Sequence, residues 1–245
     1  MRLISLFASS GCAVIERVII LEGSKFKRAW VEETVSLLES SAVVVHPTET
    51  IHGLGCRYDS RSGIERISRL KGRESYKPMI FLVPGTSWLE SLCGDIPQLA
   101  AKLIEIFWPG PLTLVLKTAE SARKKIPWAG DTVAVRQCAH PFTAQVLAEL
   151  DLPIASTSIN RSGQPVEGEP VRSLELLAAG WKDEPQLRPD LAVIDKIKST
   201  EEKNLPSTIL AVEPKGVVRI IRQGACPLSE IISKSGIEPD MPEHS

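Results

Sequence analysis

Unbroken apolar runs of strand length alternate along the chain with segments of helical periodicity. The runs lie at 18–21, 42–45, 79–83, 112–116, 132–135, 191–194, 208–212 and 217–221. Most are continuous rather than alternating, which predicts strands buried on both faces. Apolar spacing predicts helices over 26–38, 64–70, 99–107, 141–150 and 171–179. This order predicts an α/β fold, a single-domain mixed twisted sheet covered by helices.

The last two runs predict an antiparallel hairpin, because only residues 213–216, Glu-Pro-Lys-Gly, separate them. Such a hairpin would bring residues 206–208 close to residues 222–224. We expect one domain over 16–227, with 1–15 as a flexible extension and the proline-rich 228–245 as a disordered tail. A signal peptide is the alternative for 1–15, but three serines interrupt its apolar stretch.

Composition narrows the class of protein. A content of 43% hydrophobic and 24% charged residues is typical of a soluble globular domain, and no run reaches the roughly 18 apolar residues of a membrane span. We therefore expect a cytoplasmic protein without membrane contact. The net charge of -1 means that nucleic acid would need a local basic patch. Five cysteines without a C-x-x-C pair argue against a zinc site or a disulfide framework.

Two polar clusters stand in apolar surroundings. One is Lys71-Gly72-Arg73 with Lys77 beyond it, and the other is the Ser-Thr-Ser-Ile-Asn run at 156–160. Lysine and arginine neutralise phosphate oxygens, while hydroxyl and amide groups fix a ligand geometrically, so we predict two walls of one phosphate pocket. Solvated cations at a helix end, and an Asx or Ser/Thr turn, are the structural alternatives.

Two further segments are candidates for ligand contact. Residues 46–55 run from His46-Pro47 through two threonines and a glutamate to Gly53-Leu54-Gly55, and such a loop lets backbone approach a ligand. A plain strand-to-helix connection explains them equally well, and the third glycine of a dinucleotide fingerprint is absent. Arg136 ends a predicted strand and could bind a carboxylate, a phosphate or a structural acid.

Together these segments resemble the YrdC-like threonylcarbamoyl-AMP synthases, in their short form, over roughly residues 20–226. The matching motifs, in chain order, are Pro47-Thr48-Glu49-Thr50, Gly53-Leu54-Gly55, Lys71-Gly72-Arg73, Trp108-Pro109-Gly110-Pro111, Val133-Ala134-Val135-Arg136, Ser158-Ile159-Asn160, Pro206-Ser207-Thr208 and Arg222-Gln223-Gly224. The resemblance implies a fold related to dihydroxybutanone phosphate synthase.

It also implies an enzyme that joins L-threonine, bicarbonate and ATP into threonylcarbamoyl-AMP and pyrophosphate for the modification of tRNA adenosine 37. Carried over by motif, the catalytic residues are Lys71, Arg73, Ser158 and Asn160. The ATP-binding residues are Arg73, Lys77, Thr132, Ser158 and Arg222, joined by Lys71 and Asn160. The threonine-binding residues are Thr50, Arg136, Ser156 and Ser207. ATP is a substrate, Mg²⁺ is expected on its phosphates without protein ligands, and a downstream threonylcarbamoyl-transferase complex is the expected partner.

Three positions depart from the family pattern. His52 replaces an aromatic residue, Leu82 replaces the histidine of long members, and Ile159 replaces alanine. A changed amino-acid substrate or a YciO-like paralogue agrees with these changes. An RNA-binding protein on the same scaffold is a further alternative, although only 5% of residues are aromatic. A carbamoyl-transfer module of hydrogenase maturation is the weakest alternative.

Overall fold

The computed structural model describes residues 15–22, 25–72, 79–160, 163, 169–178, 181, 184–196 and 205–240. Ten strands of these residues form one sheet: β1 Val18–Leu21, β2 Val44–His46, β3 Gly53–Arg57, β4 Ile80–Leu82, β5 Leu112–Lys117, β6 Thr132–Arg136, β7 Ile154–Ser158, β8 Leu191–Asp195, β9 Thr208–Val212 and β10 Val218–Arg222. The helices are α1 Arg28–Glu39, α2 Arg61–Leu70, α3 Leu89–Cys93, α4 Gln98–Phe107, α5 Glu120–Lys125, α6 Pro141–Leu150, α7 Pro170–Ala178 and α8 Leu228–Ser235. No described helix is long and apolar enough to cross a membrane.

The strands lie in the order β1-β8-β2-β3-β7-β4-β6-β5-β9-β10. Four neighbouring pairs are parallel and five are antiparallel. The predicted mixed α/β sheet is therefore confirmed, and so is the hairpin of β9 and β10. Every run predicted as a strand lies on an observed strand, because uninterrupted apolar runs suit strands that are covered on both faces.

The two faces of the sheet are covered unequally. One face packs on the main core, into which α2, α4 and α8 insert their apolar sides. On the other face a second core forms under α1 and α6, over β1, β8 and β2 and the near ends of β4 and β7. Beyond it the same face carries a row of half-buried residues: Ile80, Ala134, Val115 and Ala211. We call the part of the sheet that carries this row the open face.

The C-terminal boundary of the domain was predicted wrongly. Residues from 228 do not begin a disordered tail, because α8 places Ile231 in the main core with 0% of its surface exposed. After α8, Asp240 lies beside the edge strand β10, donating its N–H to the Val218 carbonyl at 2.7 Å and accepting from Ile220 N at 3.1 Å. Apolar burial and edge-strand pairing thus hold the chain as far as 240. At the other end Ile15 is also buried in that core, while 1–14 lie outside the described residues.

Parts of two segments predicted as loops are strands. Gly53-Leu54-Gly55 belongs to β3, between β2 and β7, and is therefore neither part of a loop nor a strand-to-helix connection. The run from Ser156 to Ser158 is the end of β7, so only Ile159 and Asn160 form the bend after it. Glycine and serine have low strand propensity, but central positions in a sheet override propensity through pairing on both sides.

Candidate functional site

A cavity of about 170 Å³ lies where the open face meets the part of the sheet that α6 covers. Six predicted site residues line it: Thr50, Arg136, Ser156, Ser158, Ser207 and Arg222. The other lining residues are Thr48, Ile51, His52, Gly53, Ile80, Leu82, Thr157, Pro206 and Ile209. All four residues assigned to threonine therefore meet in one place, although they come from the loop after β2, from β6 and β7, and from the residue before β9.

Arg136 lines the cavity as a buried cation and is only 3% exposed. Its Nη1 donates to Thr50 Oγ1 at 3.2 Å, and its Nη2 lies 3.5 Å from Glu49 Oε1. Its Nε has no hydrogen-bond partner among the described residues. A guanidinium has five N–H donors, so this buried cation retains donor capacity for a carboxylate.

A directed chain of hydroxyl groups supports Arg136. Thr48 Oγ1 donates to the Ile51 carbonyl at 2.6 Å, which uses its single proton. The 2.9 Å contact between the two threonine hydroxyls must then be a donation from Thr50 to Thr48. Thr50 Oγ1 is therefore left as an acceptor, which is the role that Arg136 requires of it.

Glu49 supplies the negative charge beside Arg136. Its Oε2 accepts from Cys138 Sγ at 3.0 Å and from Ala139 N at 3.1 Å. Burial, together with the charge of Glu49, raises the pKa of Cys138 to about 12, so the thiol remains protonated and can donate. A buried guanidinium is tolerated only when such a counter-charge is present. The structural acid considered for Arg136 is thus Glu49, and the arginine still faces the cavity.

His46 and Ser156 form a buried pair across an intervening strand. His46 lies on β2 and Ser156 on β7, and β3 runs between them. His46 Nε2 lies 2.9 Å from Ser156 Oγ, and a Cβ on Gly53 would lie 2.6 Å from both atoms. A Cβ on Gly55 would lie 3.1 Å from the same nitrogen. The two glycines therefore leave the space through which the imidazole crosses β3, which explains why glycine is required there.

Arg222 reaches the cavity because β10 contains a β-bulge. Ile220 pairs with Leu210, but Arg222 pairs with Ile209, so Ile221 is an extra residue. A bulge re-aims the side chains that follow it, and here it turns Arg222 onto the open face. Its Nε and Nη2 donate to the Ser207 carbonyl at 3.1 and 2.9 Å. Burial, with the nearby charge of Arg136, lowers its pKa.

Ser207 is also held from the neighbouring strand, because its Oγ lies 2.8 Å from Thr113 Oγ1. The Arg-Gln-Gly motif requires glycine at position 224 for a steric reason. A Cβ on Gly224 would lie 2.0 Å from the Pro206 carbonyl oxygen, so any other residue would push the two ends of the hairpin apart. The predicted proximity of these two ends is therefore observed, through contacts that no spacing argument could specify.

Lys71, the residue after α2, is hydrogen-bonded to backbone carbonyl groups of the protein. Lys71 Nζ donates to the carbonyl oxygens of Ser158 and Asn160, with Asn160 Oδ1 at 3.4 Å. Ser158 Oγ in turn donates to Asn160 Oδ1. Lys71 and Asn160 are therefore joined to each other at the end of β7, and neither lines the cavity. Arg73 and Lys77 lie outside the described residues.

Thr132 does not join this group. It is exposed at the start of β6, four residues before Arg136, which corresponds to about 13 Å along a strand at about 3.3 Å per residue. Its predicted contact with ATP remains a prediction. Of the three departures from the family pattern, His52 and Leu82 line the cavity, whereas Ile159 is buried in the main core. The residue between Ser158 and Asn160 therefore affects packing rather than the cavity wall.

Sequence reasoning missed His46, Glu49 and Thr113 as supporting residues. Glu49 stood inside a quoted motif and could have been identified as the acid for Arg136. A hydroxyl inside the apolar run 112–116 was the only signal for Thr113. His46 stood at the start of the candidate segment 46–55, but nothing along the chain points to its contact with Ser156, because that contact depends on strand order.

This chain is similar to known proteins both in sequence and in fold. A family model for Sua5/YciO/YrdC, described as telomere recombination, matches residues 36–224. The threonylcarbamoyl-AMP synthase of Bacillus subtilis (strain 168) is 39% identical over 136 residues, which are 55% of this chain and only 39% of that protein. Its counterpart from Psychromonas ingrahamii is 36% identical over 138 residues, 56% of this chain and 72% of that protein. The crystal structure of P. abyssi Sua5 complexed with L-threonine superposes with a TM-score of 0.77 at 28% identity, covering 91% of this chain and 62% of that one.

Proposed function

The chain belongs to the Sua5/YciO/YrdC family, and from this membership we propose that it is an L-threonylcarbamoyladenylate synthase. It would convert L-threonine, bicarbonate and ATP into threonylcarbamoyl-AMP and pyrophosphate. The observation that carries the proposal is the buried Arg136, whose Nε has no partner among the described residues, in a cavity with serine and threonine hydroxyls. L-threonine presents an acceptor-only carboxylate, which suits the guanidinium, together with an ammonium and one hydroxyl, which suit the hydroxyl groups of the cavity.

Binding of the amino acid would begin with its carboxylate. A carboxylate can accept two parallel N–H bonds from one guanidinium, and this fork geometry sets its orientation. Glu49, 3.5 Å from Nη2, keeps Arg136 compensated before the ligand arrives. The hydroxyls of Ser156 and Ser207 then surround the remaining polar groups of the amino acid. Leu82, which also lines the cavity, provides apolar surface for its methyl group.

The reaction needs positioning more than acid–base chemistry. The amine of threonine adds to carbon dioxide derived from bicarbonate and loses a proton, which yields a carbamate. A carbamate oxygen then forms a bond to the α-phosphorus of ATP while the bond from that phosphorus to the bridging oxygen breaks, and pyrophosphate leaves. Aligning three reactants and neutralising the developing charge accounts for catalysis of such a step.

ATP would lie along the open face, next to the amino acid. Ser158 and Arg222 stand at the border between the cavity and this face, and the apolar row from Ile80 to Ala211 offers a surface for the base. Arg73 and Lys77 are assigned to the phosphates by motif alone. Lys71 and Asn160, which are bound to each other, would shape the bend that carries Ser158 rather than contact phosphate first.

Mg²⁺ would enter with the nucleotide. The described residues contain no cluster of three His, Cys, Asp or Glu side chains suited to a metal ion. Phosphate oxygens and water would supply most ligands of the ion, and its contribution would be to neutralise the phosphates. The product would be consumed in the cytoplasm by a threonylcarbamoyl-transferase acting on tRNA adenosine 37. Direct contact with RNA is part of the proposal only as an alternative.

A pyrophosphate-release assay with single omissions tests the proposal. Release should require ATP, bicarbonate and L-threonine together, and replacing threonine with serine measures side-chain selectivity. Arg136→Lys retains the charge but loses the fork, and should lower kcat/KM for threonine about 100-fold. The matched control is Arg123→Lys, because Arg123 is 54% exposed and pairs with Asp131 away from the cavity. Pyrophosphate release without an amino acid would contradict the assignment.

A further inference from the structure

The direction of the hydrogen bond between His46 and Ser156 depends on which ring nitrogen carries the proton. His46 is 2% exposed, and its Nε2 faces Ser156 Oγ at 2.9 Å. Its Nδ1 has no hydrogen-bond partner among the described residues, and the Pro47 backbone group raises the pKa of the ring, although burial lowers it more. Proline has no N–H, so this group is a carbonyl oxygen, which favours a proton on Nδ1. Nε2 then carries the lone pair and can only accept.

The charge state of the ring agrees with this direction. Burial lowers the pKa of His46 from 6.5 to about 4, so the imidazole is neutral at neutral pH. A neutral ring with its proton on Nδ1 has one acceptor, Nε2. Ser156 has one hydroxyl proton and must donate it to that nitrogen. Both lone pairs of Ser156 Oγ therefore remain for other partners, and Ser156 lines the cavity.

We propose, on the basis of the proposed function, that His46 is a positioning residue that makes Ser156 a hydrogen-bond acceptor for the amino group of the amino-acid substrate. The cavity then has opposite polarity at its two ends. Arg136 offers donors, which suit the carboxylate, and Ser156 offers an acceptor, which suits an ammonium or amine N–H. After carbon dioxide has been taken up, the carbamate nitrogen still carries one N–H. The same acceptor therefore holds the substrate before and after carboxylation.

The strand arrangement shows that this contact is built into the fold. The imidazole can reach Ser156 only because β3 has no side chain at Gly53, where a Cβ would lie 2.6 Å from both partners. A residue that only filled the core would not need a nitrogen at this position. A polar ring held against a serine that lines the cavity suits orientation of that serine.

Calorimetric titration of L-threonine into the full chain tests the inference through variants. His46→Phe keeps a planar ring without the acceptor and should weaken threonine binding about tenfold, as should Ser156→Ala. The double variant should bind no more weakly than Ser156→Ala, because the serine acts through the same bond. His46→Gln retains an acceptor oxygen and should bind within about threefold of the natural chain. KM for ATP should stay unchanged in all four, which separates orientation of Ser156 from a general structural defect.

The outcomes separate this inference from the proposed function. If the natural chain does not bind L-threonine, the proposed function fails and the inference fails with it. If the natural chain binds threonine and His46→Phe binds it within twofold, or the two single losses add in the double variant, only the inference is overturned. A measurement without any variant guards against a His46→Phe protein that does not fold. The ¹⁵N shifts of the His46 ring should show the proton on Nδ1, and a proton on Nε2 would refute the inference.

Discussion

At acid pH, protonation of His46 should destabilise this protein more than protonation of an ordinary surface histidine would. Burial is the main cause that lowers the pKa of His46 from 6.5 to about 4, and the charges of Arg136 and His140 act in the same direction. Glu49 and the Pro47 carbonyl oppose them. Between these two pH values the unfolded chain takes up a proton that the folded protein does not accept. The free energy of unfolding must therefore fall as the pH is lowered through this window.

The size of the effect follows from the shift. A difference of about 2.5 pKa units at about 1.36 kcal/mol per unit corresponds to about 3 kcal/mol, all of which is present above pH 6.5 and lost by about pH 4. At pH 5 the loss is about 2 kcal/mol. This is a large part of the 5–15 kcal/mol that stabilises a typical domain. Burial in the core is the reason that one histidine can contribute so much.

Urea denaturation at pH 7.5 and pH 5.0 measures this contribution. The natural chain should lose about 2 kcal/mol more between the two pH values than His46→Phe, because phenylalanine does not titrate. His46→Gln should also have the shallower pH dependence, although it retains a polar group. Because all three chains share every other titrating residue, their difference isolates His46. Equal pH dependence in the three proteins would refute the claim that His46 is neutral and buried.

Three further changes test the packing. Gly53→Ala should lower the free energy of unfolding, measured in urea, by about 1–3 kcal/mol, because the new methyl group would overlap the His46 imidazole and the Ser156 hydroxyl. Gly85→Ala should change it little, because a Cβ there would have no atom within 4 Å. Ile231→Ala should lower the free energy of unfolding by about 2–5 kcal/mol, because Ile231 is buried. Ile232→Ala should lower it by less than about 0.5 kcal/mol, because Ile232 is 40% exposed. Equal losses in the two variants would contradict the docking of α8. Deleting Ile221 should remove the bulge but leave the arginine opposite Ile209 on the open face, so pyrophosphate release should persist, and an arginine turned to the main core would contradict this register.

Much of the fold could be predicted from local pattern. Continuous apolar runs identify strands because the pattern depends only on how many faces of a strand are covered. The hairpin at 213–216 follows from turn residues between two such runs, and the helix at 141–150 was predicted at its observed bounds. A set of short polar motifs in a fixed order then indicated which residues belong to one site. Six of those residues do meet in one cavity.

What the sequence by itself determined was therefore the identity of most strands and helices, the mixed sheet and six of the fifteen residues of the cavity wall. Periodicity and turn chemistry could supply these because they act between residues that are close along the chain. The tertiary structure decided how these elements meet. It made Gly53-Leu54-Gly55 a strand that His46 crosses, joined Lys71 to Asn160, and used a bulge to aim Arg222 at Ser207. Such contacts depend on strand order and register, which bring together residues that are far apart along the chain. Lys71 and Asn160, for example, are 89 positions apart.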